Sequence, residues 1–173
     1  SDYSRIVSMN SDGTIVAIAG NYNDGNGNLS GHVRVYQYDS SKTTAETDQN
    51  SSNFGPIGWT RLGSDIDGEA AGDYSGTGLS LNSDGNIVAI GAYLNDGNGT
   101  ESGHVRVYEY NSSTNAWSQL GSDIDGEAAS DYSGYRVSIS SDGTIVAIGA
   151  IYNNGNGSNT GHVRVYEYSS GSW

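Results

Sequence analysis

"GHVRVY" at Gly31–Tyr36 returns at Gly103–Tyr108 and again at Gly161–Tyr166. Three copies of one hexapeptide in a chain of 173 residues mark internal repetition, and that repetition decides the fold before any single residue does. The second and third copies lie 58 residues apart, the first and second 72. The difference sits in "DSSKTTAETDQNSSNFGPIG" (Asp39–Gly58), which stands where the next repeat has only "NSSTNA" (Asn111–Ala116). This polar stretch holds the only proline and reads as a surface loop.

Working outward from the hexapeptide gives four strands per repeat. "GLSLN" (Gly78–Asn82) and "RVSIS" (Arg136–Ser140) alternate apolar and polar residues, as a half-buried strand does. "SDG" follows, a tight-turn sequence whose glycine can take positive φ. "IVAIGA" (Ile87–Ala92 and Ile145–Ala150) is apolar at successive positions, so a strand buried on both faces is expected. After a Gly-Asn loop comes "HVRVYEY", and a fourth strand is predicted from Trp59 or Trp117 to "LGSDI". Four short antiparallel strands in about 58 residues suit a β-propeller blade, which hides its two faces only by stacking on neighbours. The fold class expected is all-β. Blade bounds fall at 1–69, with the 39–58 insertion, at 70–127, and at 128–173, where the outer strand is missing.

The linking stretch, "SDIDGEAAGDYSG" (Ser64–Gly76) and "SDIDGEAASDYSG" (Ser122–Gly134), then joins the outer strand of one blade to the inner strand of the next. Its paired alanines suit close packing, and Tyr3, Tyr74 and Tyr132 are expected to wedge between blades. Three blades are fewer than the four to eight of closed propellers. A segment of a longer repeat protein, or an assembly with further copies, is therefore expected.

Composition narrows the function. Twenty acidic residues against seven Lys and Arg give a net charge of -13, a surface that repels nucleic acid and anionic membranes. With no cysteine there is no disulfide, no thiolate metal site and no thiol nucleophile. No apolar run reaches membrane-spanning length, so no membrane insertion is expected.

"RVSISSDGTIVAIGA…GHVRVYEY" (Arg136–Tyr168) resembles a WD-repeat blade, and the order "DYSG…IVAIGA…GHVRVYEY" resembles the FG-GAP repeats of integrin α-type propellers. The second resemblance covers the chain apart from Asp39–Gly58 and implies secreted or surface repeat proteins of the kind found in marine microbes. Two features depart from it. The acidic loop that holds calcium in such blades is here only "SDG", and the Gly-Ala-Pro is replaced by "GAY" (Gly91–Tyr93), "GAI" (Gly149–Ile151) and "AGN" (Ala19–Asn21). The family's calcium ligands therefore do not carry over by position.

The residues themselves offer three constellations. Asp65, Asp67, Glu69 and Asp73, repeated as Asp123, Asp125, Glu127 and Asp131, have the hard oxygen ligands of a calcium loop, although their glycine is misplaced for an EF-hand. The plain alternative is turn chemistry on a solvated edge. Asp24, Asn26 and Asn28, with Asp96 and Asn98 and then Asn154 and Asn156, form a weaker oxygen set, and the third copy has lost its carboxylate. His32 and Arg34, His104 and Arg106, and His162 and Arg164 recur at one repeat position, which argues for structure rather than catalysis. The arginines need carboxylate partners, for which the connector residues Asp2, Asp73 and Asp131 are candidates. Asn28, Asn50, Asn98, Asn111 and Asn156 head glycosylation sequons in predicted loops.

Nothing resembles a nucleophile with its base, a phosphate loop or a zinc site. The expectation is a non-enzymatic extracellular or cell-surface structural or adhesive module. Calcium or glycan binding is the alternative, calcium the one cofactor to consider, and further copies or further blades of the same protein the expected partners.

Overall fold

The computed structural model describes residues 6–173, and it is all-β with no helix among them. Three antiparallel sheets follow one another along the chain. The first contains β1 (Ile6–Met9), β2 (Ile15–Gly20), β3 (His32–Tyr38), β4 (Trp59–Arg61) and β5 (Ile66–Asp67). The second contains β6 (Gly78–Leu81), β7 (Ile87–Ala92), β8 (His104–Asn111), β9 (Ala116–Gln119) and β10 (Ile124–Asp125). The third contains β11 (Ser133–Ile139), β12 (Ile145–Ala150) and β13 (His162–Glu167). Each sheet has the form of a propeller blade.

Register is identical from sheet to sheet. Ile18 pairs with Arg34, Ile90 with Arg106, and Ile148 with Arg164. The sheets stack face to face, because each strand buries a different set of residues on either side. Ala17, Ala19, Val33 and Val35 of the first sheet share a core with Leu81, Val88 and Ile90 of the second. Ala89, Val105 and Val107 on the second sheet's other side share the next core with Ile139, Val146 and Ile148. The inner strands β1, β6 and β11 lie side by side. Ser8 Oγ accepts the Leu81 amide at 2.9 Å, and Ser80 Oγ accepts the Ile139 amide at 3.2 Å.

Two expectations need correction. Burial of "IVAIGA" on both faces holds at every residue only for β7. In β2 and β12 the burial is partial, because only the middle sheet has a neighbour on each side among the described residues. The single fourth strand is in fact two pieces, β4 then β5 and β9 then β10, both pairing with the third strand. Gly63 (φ 67°) and Gly121 (φ 77°) break the extended run.

That break makes a seat. A Cβ on Gly63 would lie 2.9 Å from Trp117 Cδ1, and one on Gly121 2.9 Å from Trp173 Cδ1. Trp117 donates its indole N–H to Leu62 O at 2.9 Å, and Trp173 donates to Leu120 O at 2.7 Å. Each tryptophan thus clamps its sheet to the one before.

Candidate functional site: the acidic connectors

The connectors cross between sheets, and their conformation follows from close approach. Gly68 and Gly126 admit no side chain, since a Cβ would sit 2.0 Å from Ser30 O and 2.1 Å from Ser102 O. Two residues on from these glycines, the chain turns back. Asp73 Oδ2 accepts the Ala70 amide at 3.0 Å and Asn95 Nδ2 at 3.1 Å. Asp131 Oδ2 accepts the Ala128 amide at 3.1 Å and Asn153 Nδ2 at 2.8 Å. Both aspartates are buried. Each closes its own turn and ties it to a loop of the following sheet.

Tyr74 (φ 53°) and Tyr132 (φ 57°) then adopt a left-handed conformation that non-glycine residues seldom take. Their rings continue an inter-sheet ladder. Tyr74 lies 5.5 Å from Tyr22 and 6.0 Å from Tyr93, and Tyr132 lies 5.4 Å from Tyr93 and 4.9 Å from Tyr152. Tyr3 and Asp2 fall outside the described residues.

The remaining connector carboxylates face the third strand of a sheet. Asp65 takes a bidentate grip from Arg34, with Nε at 2.9 Å and Nη2 at 2.7 Å, and a third contact from Arg61 Nη1 at 2.8 Å. Phe54 of the insertion stacks near both guanidiniums, 5.5 Å from Arg34 and 5.2 Å from Arg61. In the second sheet the partner comes from the preceding connector instead. Arg106 Nη1 lies 3.3 Å from Glu69 Oε1, and its Nη2 donates to Asp67 O at 2.9 Å. Arg164 pairs with Glu127 in the same way. The arginine partners are thus Asp65, Glu69 and Glu127, not Asp73 or Asp131, which are already committed to the turn.

Five of the eight connector carboxylates therefore split between two tasks, Asp73 and Asp131 in the turn and Asp65, Glu69 and Glu127 on the arginines. Among the described residues, side chains with metal-ligand atoms gather in two groups, His32 with Asp65 and Asp67, and Glu69 with His104 and Asp123. Each includes a histidine, which an all-oxygen calcium loop does not.

Charge in the first group is uneven. Burial works against ionisation of Asp65, but the Arg34 bonds and the nearby His32 and Arg61 charges outweigh it and hold its pKa below the usual value. Burial and the Asp65 charge raise that of Asp67, and burial and Asp123 raise that of Asp125. A depressed folded-state pKa adds stability that is fully present above the ordinary carboxylate range, near about 4, and is lost as pH falls through the folded value. Asp65→Asn is expected to flatten the acid limb of a stability–pH curve while changing little of its shape above pH ~6. An unchanged acid limb would mean that the Arg34–Asp65–Arg61 contact is not formed in solution.

The weaker oxygen set does turn work. Asp24 Oδ1 accepts the Leu29 amide, Asp96 Oδ1 the Glu101 amide and Asn154 Oδ1 the Asn159 amide. Asn26 and Asn98 reach across to the connector and donate to Gly68 O and Gly126 O. Asn28 and Asn156 are exposed in their loops. Of the sequon asparagines, Asn28, Asn50, Asn98 and Asn156 lie outside the strands, but Asn111 is the last residue of β8, a correction to its predicted loop position. The only sequence mark of the tryptophan clamp is the Trp and Leu-Gly spacing that "WTRLG" and "AWSQLG" share.

Residues 123–166 match the model of the FG-GAP repeat family. That segment is similar to an FG-GAP repeat. The matched segment opens in the second connector and closes at Tyr166 in β13, and the 58-residue period lays the same elements over 65–108. No curated protein matches the chain. No helix among the described residues is long and apolar enough to cross a membrane.

Proposed function

We propose that this chain is a non-enzymatic structural or adhesive module of the cell exterior, acting by stacking on further blades of its own kind. One observation carries the reading. Val163 and Val165 on β13 are 68% and 67% exposed, while the same repeat positions, Val105 and Val107, are at 0%. Val105 and Val107 are covered by Ile139, Val146 and Ile148 of the third sheet, just as Val33 and Val35 are covered by Leu81, Val88 and Ile90 of the second. At the opposite end Val7 and Met9 stand exposed in the positions of Leu79 and Leu81. Beside them a hollow of about 290 Å³ is lined by Val16, Ile18, Tyr36, Pro56 and Trp59. The two free faces are the two halves of one stacking interface, which is heterologous and builds rings or rows.

The recurrence of His and Arg at every blade, with the arginines committed to ion pairs, supports a structural rather than catalytic use. The FG-GAP match supports an extracellular or surface setting.

Sedimentation over a concentration series gives the test. The chain is expected to associate head to tail, and Val163→Lys with Val165→Lys is expected to leave a folded monomer. Both valines are exposed, so the change costs the isolated module little. A wild-type chain that stays monomeric at high concentration rejects stacking on copies of itself.

A further inference from the structure

Three ligand-type atoms from three segments meet beside the start of β8. His104 Nδ1 lies 3.8 Å from Glu69 Oε2 and 3.8 Å from Asp123 Oδ2. All three atoms fall within 4.8 Å of one another. The His104 side chain is 1% exposed, and its Nδ1 has no hydrogen-bond partner. Buried polar atoms are nearly always satisfied, so an orphaned ring nitrogen facing two carboxylate oxygens needs an occupant between them.

The other oxygen of each carboxylate is already held. Glu69 Oε1 faces Arg106 Nη1 at 3.3 Å, and Asp123 Oδ1 accepts Gln119 Nε2 at 2.6 Å. Outer contacts of this kind fix the direction in which a ligand atom points. Here they leave Oε2 and Oδ2 directed at the imidazole.

We propose that Glu69, His104 and Asp123 form a binding site for a divalent transition-metal ion, zinc foremost, with solvent completing the coordination. One imidazole and two carboxylates suit zinc and its neighbours, whereas calcium takes six to eight oxygens and no nitrogen. Tetrahedral zinc with bonds of about 2.0–2.1 Å needs ligand atoms about 3.3 Å apart. Closing the cluster therefore takes roughly half an ångström along each line from His104 to Glu69 and Asp123, whose side chains are partly exposed. Arg106 cancels one carboxylate charge and leaves the cluster net negative toward a dication.

The neighbouring repeats lack this arrangement. Asp65, the counterpart of Asp123, is occupied by Arg34 and Arg61. Around His162 the described residues supply one carboxylate, Glu127, which pairs with Arg164. Among the described residues, the middle repeat alone leaves both carboxylates an oxygen to spare.

Calorimetric titration of the chelator-treated chain with Zn2+ is the experiment, with Co2+ absorption as a report on nitrogen ligation. One zinc per chain is expected, and Ca2+ is expected not to displace it. Asp123→Asn and Glu69→Gln alter partly exposed side chains and keep the fold, which far-UV circular dichroism verifies. Each is expected to weaken zinc binding by more than roughly 100-fold, beyond the loss seen for outer-shell changes. Glu109→Gln, exposed at the far end of the same strand, is expected to bind as wild type. Absence of stoichiometric zinc, or equal affinity in Asp123→Asn and wild type, overturns the site. So does calcium binding there with comparable affinity.

Discussion

Ile148→Ala destabilises the chain by about 2–5 kcal/mol, the range for emptying an Ile-sized space in a packed core. Ile148 is 2% exposed and sits where β12 meets Val105 and Val107 of the second sheet. The cavity would open between two sheets rather than within one, and the backbone of either sheet cannot collapse into it without breaking the register that Ser80 and Ile139 share. Val163→Ala, on the same sheet but two-thirds exposed, is expected to stay within about 0.5 kcal/mol of wild type. Denaturant midpoints at constant slope measure both. Equal effects would mean that the second and third sheets are not stacked as described.

Asp131→Ala comes next. The carboxylate is 1% exposed and accepts two donors, the Ala128 amide and Asn153 Nδ2. Truncation leaves the buried Asn153 amide without an acceptor, at about 1–3 kcal/mol, and releases the half-buried Ala128 N–H as well. Asp131→Asn keeps one carbonyl oxygen in place and is expected to lose markedly less. Hydrogen exchange at the Ala128 amide separates this from a general loss of packing, since it should accelerate in Asp131→Ala well before the strand amides do. Asp73, with Ala70 and Asn95, offers the same measurement one repeat earlier. Protection of Ala128 that survives Asp131→Ala would show that the connector turn does not depend on the carboxylate.

Much of the local strand and turn chemistry was legible in the sequence. "IVAIGA" forms β7 and β12 over the residues expected, because a run of β-branched side chains bounded by "SDG" and a Gly-Asn loop has few other options. The 58-residue period showed that such units recur with a connector between them, and the all-β blade form came with it. The break in the fourth strand lay within reach too, since Gly63 and Gly121 stand in the middle of it.

Partners across the sheets were decided only by the tertiary structure. Sequence spacing put Asp73 and Asp131 beside the arginines, but stacking turns them toward Asn95 and Asn153 and brings Glu69 and Glu127 to the arginines instead. Identical valines, Val105 and Val163, are buried and exposed by position in the stack alone. The insertion matters likewise: its Phe54 lies against the Arg34 and Arg61 guanidiniums that hold Asp65, while the equivalent Asp123 keeps an oxygen for His104. Strand and turn choices depend on neighbours along the chain, whereas charge pairing and burial depend on distances of a few ångströms between segments that the chain itself separates by tens of residues.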